Sequence, residues 1–316
     1  MKRNISSWQW AVVLLLCGLG AARAQVVPVV IHNLNATGTF DGQQPYGNVA
    51  VSADGNSIYG MTYYGGHGQG TIYSCAPDGS GYHLIHEFSA GASSTNGSGP
   101  IGNSVTLVGS TLYGMTTIGG SQDLGAIFRV QTDGTGFSLL DSFNMDDNNG
   151  MSPVGDLTYS AGNLYGMTPQ SGITGRGNVF SMSTNGTGFT ILHNWSLSPT
   201  NGALPLQPYT QISHNDVLVS GSNLYGMTYY NGVNGDGTIW SMNTNGSGFS
   251  LLHLFNNSDG YWSAGSLTLA AGRLYGMTIK EGGQTITERF FPSASMAAAI
   301  QICIRSTPTL VIPLVR

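Results

Sequence analysis

Short apolar runs, separated by glycine-rich polar segments, recur along most of the chain. The string Leu-Tyr-Gly-Met-Thr, or its Ile variant, occurs five times, with starting positions 54, 52, 60 and 50 residues apart. The copies begin at Ile58, Leu112, Leu164, Leu224 and Leu274. The runs in and around each copy are too short for helices and are bounded by Gly, Asn and Asp, which favours β-strands. The pattern predicts four strands per copy.

Two hairpins are predicted within each copy. A run of the type Gly-Thr-Ile-aromatic-Ser, as at Gly237, follows the first motif, and a turn such as Asp133-Gly134 leads from it into a Leu-Leu-His-x-Phe run. A second turn, such as the one at Gly221, precedes Leu-Tyr-Gly-Met-Thr. Asp-Gly and Asn-Gly provide the positive φ angles that tight hairpin turns require. A four-strand meander repeated about every fifty residues is typical of β-propeller blades.

We therefore predict an all-β fold, a β-propeller of about five four-stranded blades. Residues 29–34 resemble an isolated fourth strand, so we expect this N-terminal strand to pair with the last blade and close the ring. A β-solenoid is the rival architecture, but its coils have shorter repeats and lack two hairpin turns per unit.

The N-terminus has the pattern of an export signal. Lys2 and Arg3 precede a short apolar run, and a small-x-small cleavage site ends at Ala24. We expect residues 1–24 to be a cleaved signal peptide, residues 25–287 to be the repeat domain, and the protein to be secreted or at the cell surface. The apolar run is too short to span a bilayer, and no transmembrane segment is expected in the mature chain.

Composition narrows the function further. Charged residues make up 8% of the chain, the net charge is −5, and no basic block occurs, so no nucleic-acid partner is expected. The cysteines have neither a disulfide nor a metal-binding spacing. Cys75 takes a position that other copies fill with Val or Met, which predicts a small buried hydrophobe. We expect a monomer without a cofactor.

Several of these motifs resemble those of the GloVer tandem-repeat proteins, the "choice-of-anchor" group of exported bacterial proteins. The resemblance rests on Leu-Tyr-Gly-Met-Thr, the third-strand run with its Asp-Gly-Thr-Gly-Phe turn, and Leu-His-x-Phe with the following Gly-x-x-Pro loop. It covers residues 29–283. It implies export, tandem repeats and a variable C-terminal sorting anchor, and it implies no catalytic or binding residues.

A histidine recurs in the predicted fourth strand. It is present at His32, His86, His193 and His253, and Asp141 replaces it in one copy. Alternation places Leu251, His253 and Phe255 on one face of the strand. Because equivalent positions on different blades lie far apart, we interpret these histidines as structural, hydrogen-bonded between blades, and expect no metal site.

No catalytic constellation is apparent in the sequence. Most acidic residues lie in predicted turns, and no nucleophile, base and orienting group form a recognisable set. Residues 146–150, Asp-Asp-Asn-Asn-Gly, offer oxygen ligands for calcium. Their spacing differs from that of an EF-hand and only one copy has them, so we interpret them as a solvated loop.

Aromatic residues concentrate in two loop classes that a propeller would place on one face. The candidate ligand-binding residues are Tyr63, Tyr64, His67, Tyr229, Tyr230, Asn231 and Trp262, with Tyr46, Tyr209 and Tyr261 in the same loops. Tyr and Trp beside amides offer stacking faces and hydrogen-bonding groups, which suit sugars. The alternative is that these rings pack the loops against one another.

The main hypothesis is a non-enzymatic exported propeller that binds an extracellular glycan or a surface protein. One alternative is an extracellular polysaccharide lyase or hydrolase that uses charged residues in the same loops. Another is a purely structural surface protein. The charge content of these loops is low, which favours binding over catalysis.

The repeat pattern stops near Thr287, and residues 288–316 match no earlier copy. Thr-Glu-Arg-Phe-Phe-Pro at this point can be encoded as ACG GAA CGA TTT TTT CCN. Read from the third base of the Thr codon, this becomes Gly-Thr-Ile-Phe-Ser, the missing third strand. The same frame permits Asp-Gly-Ser-Gly-Tyr, then Leu-His-Ser-Phe-Asn, then Gly-x-x-Pro, all in register. We expect residues 288–316 to be an out-of-frame tail that completes no blade; the alternative is a genuine unrelated segment.

Overall fold

The fold is built from β-strands. The computed structural model describes residues 30–34, 41–89, 96–145, 149–170, 176–195, 216–229, 236–256, 260–263, 265–270, 272–280, 290–291 and 299–301. Their regular secondary structure consists of 22 strands, with no helix among them and thus none able to cross a membrane. The chain divides into two compact units, residues 1–33 and 34–316.

Copies one to four each form a four-stranded antiparallel sheet with its strands in chain order. The first contains β1 (Ala50–Val51), β2 (Ile58–Thr62), β3 (Thr71–Cys75) and β4 (His83–Glu87). The second contains β5 (Thr106–Val108), β6 (Thr111–Thr116), β7 (Ala126–Gln131) and β8 (Ser138–Ser142). The third contains β9 (Thr158–Ser160), β10 (Asn163–Thr168), β11 (Asn178–Ser183) and β12 (Thr190–Asn194). The fourth contains β13 (Leu218–Ser220), β14 (Asn223–Thr228), β15 (Thr238–Asn243) and β16 (Ser250–Leu254). The predicted meander is confirmed in these copies.

The glycine of Leu-Tyr-Gly-Met-Thr makes room for an aromatic ring from the third strand. Gly114 pairs with Phe128, and Gly166 pairs with Phe180. A Cβ atom at either glycine would lie 2.5 Å from the Cζ atom of the paired ring, closer than real Cβ contacts. The motif therefore needs glycine for steric reasons, although the backbone there is ordinary strand. Two further pairs repeat the arrangement, Gly60 with Tyr73 and Gly226 with Trp240.

The turn between the third and fourth strands is closed by its first side chain. Oδ1 of Asp133 accepts hydrogen bonds from the backbone N–H and the hydroxyl of Thr135, at 2.9 and 2.7 Å. These bonds lower the pKa of Asp133. Gly134 has a φ of 86°, a left-handed conformation in which a Cβ atom is costly. Asp78, Asn185 and Asn245 close the other three turns in the same way.

Each hydrophobic core lies between two consecutive sheets. Phe143 from the second copy and Leu164 and Phe180 from the third belong to one cluster, and all three are fully buried. Three more clusters join the other neighbouring copies. A copy therefore buries its apolar faces only against its neighbours, as tandem-repeat folds do. Full burial of one such side chain stabilises the fold by about 1.5–3 kcal/mol. Cys75 is buried, as its repeat position predicts.

A β-bulge in the last strand of each of the first four sheets breaks the expected alternation of side-chain direction. In the fourth sheet, Ile239 pairs with His253 but the next residue, Trp240, pairs with Leu251, which leaves one extra residue, Leu252. Leu251 packs in the core shared with the third copy, whereas Leu252 and Phe255 pack in the next core. The prediction that Leu251 and Phe255 share a face is therefore wrong, because the bulge reverses the side-chain direction.

The fifth copy departs from the meander. It comprises β17 (Tyr261–Ser263), β18 (Thr268–Ala270), β19 (Arg273–Tyr275), β20 (Thr278–Lys280), β21 (Phe290–Phe291) and β22 (Ala299–Gln301). Strands β18 and β19 form the expected hairpin, but β19 then pairs with β22 in parallel. Strand β20 pairs with β17. Among the described residues, no antiparallel third strand lies beside β19.

The predicted N-terminal closing strand is not observed. Residues 30–34 form no strand, and residue 29 lies outside the described residues. Closure of a ring and the number of blades therefore stay predictions. The expected signal peptide, residues 1–24, also lies outside the described residues, as does most of the tail after Thr287.

Candidate functional site

The two loop classes that carry the aromatic candidates are hydrogen-bonded to each other. In the first copy, the backbone N–H of Gln43 donates to the carbonyl of Tyr64 at 2.7 Å, and the reverse bond measures 3.1 Å. Ser98 and Ile118 exchange the same pair of bonds in the second copy. Because these bonds join the two loops of a copy, residues about twenty apart in sequence meet at one end of the sheet.

Three tyrosines of the first copy form a contiguous group, here called the tyrosine cluster. The ring centroids of Tyr63 and Tyr64 lie 4.2 Å apart, and those of Tyr46 and Tyr63 lie 6.2 Å apart. Tyr46 and Tyr64 are 38% and 42% exposed, while Tyr63 is half-buried between them. Burial and the neighbouring Tyr64 hydroxyl raise the pKa of Tyr63. The cluster therefore presents aromatic surface to solvent.

Polar groups lie on these loops and at the end of the adjacent strand β4. The hydroxyl of Tyr46 donates to Oε1 of Gln44 at 2.9 Å. Nδ1 of His67 lies 3.0 Å from Oε2 of Glu87, and the two side chains are 74% and 35% exposed. Gln44 adopts a φ of 58°, a left-handed turn conformation that Gly99 and Ser152 share at equivalent positions. The first copy thus combines stacking surface with hydrogen-bonding groups.

The aromatic pair of the fourth and fifth copies is buried. Tyr229 is 4% exposed, and its ring stacks on Trp262 with centroids 5.8 Å apart and an interplanar angle of 16°. The ring of Tyr229 is therefore covered by the following copy and offers no free stacking face, in line with the alternative that these rings pack the loops against one another. Tyr230 and Asn231 lie outside the described residues. Of the sequence candidates, the structure brings together Tyr63 and Tyr64, with their neighbour Tyr46, and separately Tyr229 and Trp262.

Two of the recurring histidines stack on the next copy. The ring of His86 lies 3.7 Å from that of Phe137 at an interplanar angle of 3°, and His193 lies 3.9 Å from Phe249 at 6°. Nε2 of His86 also donates to Oδ1 of Asn96 at 2.5 Å. The structural interpretation holds for His86, but its main inter-copy contact is this stacking. An aromatic residue directly follows each turn of the type Asp/Asn-Gly-Ser/Thr-Gly, and this was the sequence signal for the stacking.

Replacing His86 by glutamine should make stability less dependent on pH. Desolvation lowers the pKa of His86, although Asn96 and Glu87 partly oppose this effect. Below about pH 6.5 the unfolded chain then binds more protons than the native one, so stability falls as the pH falls. The difference in melting temperature between pH 7.5 and 5.5 should therefore be smaller in His86→Gln. An unchanged difference would contradict this assignment.

A line of polar residues joins the five copies. Its members, each two residues before the first strand of a copy, are Asn48, Ser104, Asp156, Asp216 and Ser266. The backbone N–H of each of the first three donates to the side chain of the next member at 2.6 Å. The Ser266 hydroxyl donates to Asp216. Sequence reasoning missed this line, although the polar character of the position was visible in every copy.

The line also shows how the first strands converge. Nδ2 of Asn48 reaches Oδ2 of Asp156 at 3.5 Å, so the first and third copies meet there. Within the described stretches, no group of three His, Cys, Asp or Glu side chains is placed to hold a metal ion. The loop considered for calcium has residues 146–148 outside these stretches.

Residues 23–219 match the family described as the Gloeobacter/Verrucomicrobia repeat. No curated protein sequence matches the chain. Among solved structures, the chain is similar to one in the nidogen/laminin complex, with a TM-score of 0.48 and 16% identity over 74% of this chain and 71% of that one. A putative TolB from Agrobacterium tumefaciens gives 0.42 and 13%, over 65% and 64%. TolB from Acinetobacter baumannii gives 0.43 and 9%, over 69% and 44%.

The family match confirms the resemblance seen in the sequence motifs. It extends over more than half of the chain and includes the first three complete sheets with the tyrosine cluster. The chain therefore belongs to the Gloeobacter/Verrucomicrobia repeat family.

Proposed function

We propose that this protein is an exported, non-enzymatic β-propeller that binds an extracellular glycan on the tyrosine cluster. The observation that carries the proposal is the grouping of Tyr46, Tyr63 and Tyr64 on two paired loops, with two rings more than a third exposed. Exposed aromatic rings in loops held by a rigid sheet more often serve recognition than stability.

The chemistry of the cluster suits a sugar. The faces of the tyrosine rings can pack against the C–H groups of a pyranose, while Gln44, His67 and Glu87 supply donors and acceptors for its hydroxyls. Low charge in these loops favours a neutral or weakly charged glycan. A surface protein is the other ligand class, and a glycan array distinguishes the two.

Export and ring closure belong to the same proposal. Residues 1–24 direct the chain out of the cytoplasm and are removed, and residues 29–34 add the closing strand of the ring. The line of polar residues from Asn48 to Ser266 supports a ring, because it brings the first strands of five copies together. The mature protein is secreted or at the cell surface, as a monomer.

Replacing Tyr46 and Tyr64 together by alanine should abolish retention on a polysaccharide column. Each stacked ring contributes about 1 kcal/mol beyond its buried area, so losing two weakens binding at least about tenfold. The melting temperature should stay within about 2 °C, because both residues lie at the surface and neither belongs to a buried core cluster. The matched control is Tyr159→Ala, which removes a 42% exposed tyrosine from the third sheet and should leave retention unchanged.

Two results of this experiment would contradict the proposal. Equal retention of the double variant and the parent protein would exclude the cluster as the site. If the double variant lost both its retention and much of its melting temperature, the rings would serve packing between loops. A glycan array on the mature protein identifies the ligand, or its failure to bind any glycan favours a protein partner or a structural role.

The enzymatic alternative has one observation in its favour. The His67 imidazole and the Glu87 carboxylate lie 3.0 Å apart in the same copy as the tyrosine cluster, a combination that a lyase or hydrolase could use for proton transfer. Incubating the protein with any polysaccharide that it retains, and measuring new reducing or unsaturated ends, decides between binding and cleavage. If the parent protein formed product and Glu87→Gln did not, the protein would be an enzyme and not only a binding protein.

A further inference from the structure

Three of the loops between copies share one position with the same backbone but with different side chains. Gly99, Ser152 and Trp262 have left-handed φ angles of 55°, 49° and 62°. The backbone N–H of each donates to a carbonyl at the start of the third-strand run of the preceding copy, at 2.9, 2.7 and 2.9 Å. Residues 99, 152 and 262 are therefore structurally equivalent, and their site is here called the gate position.

The gate position lies against the loop between the second and third strands of the preceding copy. In the fifth copy it holds Trp262, whose ring stacks on Tyr229 with centroids 5.8 Å apart, and Tyr229 is 4% exposed. In the second copy it holds Gly99, next to Tyr63, the equivalent of Tyr229. Tyr63 is only half-buried. The exposure of the tyrosine is thus low where the gate residue is a large aromatic and higher where it is glycine.

The contacts of Gly99 show what a side chain at this position would touch. Ser152 and Trp262 adopt the same left-handed φ, so the backbone there accepts residues other than glycine. A Cβ atom at Gly99 would lie 3.2 Å from Cε2 of Tyr63 and 3.3 Å from Cδ1 of Ile118, closer than most real Cβ contacts. A larger side chain would therefore press on the Tyr63 ring.

We propose that Gly99 is the positioning residue that keeps the ring of Tyr63 available to a ligand. The proposal rests on the tyrosine cluster being the glycan site, and it adds that this site is formed by two copies. An aromatic side chain at position 99 would take the place that the indole of Trp262 takes on Tyr229. Such a side chain and a sugar ring would then compete for the same tyrosine.

Gly99→Trp should weaken retention on the polysaccharide column at least about tenfold. Gly99→Ser should have a smaller effect, because Ser152 shows that a short side chain fits this backbone. The matched control is Gly109→Trp, in the turn between β5 and β6. Gly109 has a φ of 62°, and a Cβ atom there would meet no described atom within 4 Å, so the control carries similar backbone strain without touching Tyr63. It should be retained like the parent.

Nitration with tetranitromethane tests the gate position without any ligand. Tandem mass spectrometry of the peptides measures the reaction of each tyrosine. Tyr63 should be nitrated severalfold more slowly in Gly99→Trp than in the parent protein, because the indole covers its ring. Tyr159, which is 42% exposed in the third sheet, should react equally in both proteins.

The two measurements separate this proposal from the proposed function. Equal retention of Gly99→Trp and the parent, or equal nitration of Tyr63 in both, would overturn the role of Gly99 and leave the glycan site in place. A melting temperature of Gly99→Trp far below that of Gly109→Trp would overturn it as well, because the indole would then not fit on Tyr63. Slower nitration of Tyr63, in a protein whose parent form binds no polysaccharide, would support the role of Gly99 and contradict the glycan site.

Discussion

Replacing Gly166 by alanine should lower the free energy of unfolding by about 3 kcal/mol, at the upper end of the usual cost of overpacking. The new Cβ atom would lie 2.5 Å from Cζ of Phe180, a ring that is fully buried in the core between two sheets. Phe180 cannot move away without disturbing Phe143 and Phe189, whose rings pack against it. Urea denaturation followed by circular dichroism measures the change.

The same substitution at Gly276 is the matched control and should cost less than about 0.5 kcal/mol. A Cβ atom there would meet only the flexible ends of Leu267 and Met227, at 2.9 and 3.0 Å. Both glycines lie in the same sequence motif, so the two substitutions compare a position under a buried ring with one beside flexible side-chain ends. Equal losses at the two positions would show that the backbone, and not the aromatic ring, determines the glycine.

Replacing residues 288–316 by their shifted-frame reading should raise the melting temperature by about 10 °C. This expectation follows from the proposal that the tail is translated out of frame. The shifted reading supplies the Gly-Thr-Ile-Phe-Ser strand, the turn and the fourth strand that the first four copies possess. Each buried apolar side chain contributes about 1.5–3 kcal/mol, and ordering the hairpin offsets part of the sum. A net gain of roughly 3 kcal/mol corresponds to about 10 °C in a domain of this size.

The structure adds two reasons to expect this gain. Gly276 keeps the glycine that lies under an aromatic ring in the first four copies, and the shifted reading places a phenylalanine in the strand that would cover it. The tail as written pairs with β19 in parallel, unlike every complete copy. A control chain with the restored phenylalanine changed to alanine should lose a large part of the gain. Differential scanning calorimetry measures both.

Resequencing the gene tests the proposal independently of stability. The shifted frame should continue through a turn, a fourth strand and a Gly-x-x-Pro loop. A stop codon before these motifs would refute the frame shift. A restored chain that melts no higher than the parent would show that the fifth copy does not need the hairpin.

Much of the local structure could be predicted from short motifs. The turn at Asp133 and Gly134 depends on a side-chain oxygen two residues from its partner and on a residue that tolerates positive φ. Both requirements are met by neighbours in the chain, so the sequence expresses them directly. The five-fold repetition then turned a weak signal for each strand into a firm prediction for four sheets.

The bulge at Leu252 could not be predicted, because a single inserted residue leaves the apolar pattern almost unchanged but reverses side-chain direction.

The loops of the candidate site could be predicted from the sequence, but the exposure of their tyrosine rings could not. Tyr63 and Tyr229 occupy equivalent positions and look alike in sequence, yet Tyr63 is only half-buried whereas Tyr229 is 4% exposed. The difference arises from Trp262, which reaches Tyr229 only after the fifth copy folds beside the fourth.

The sequence by itself determined the family and, for the first four copies, the strands, their turns and the order of strands within a sheet. The tertiary structure alone decided which faces of consecutive copies meet, including the stacking of His86 on Phe137 and the polar line through Asp156 and Asp216. The physical reason is the range of the interactions. Turn conformation and strand pairing depend on residues close in the chain, whereas contacts between copies depend on how sheets about fifty residues apart are superposed in space.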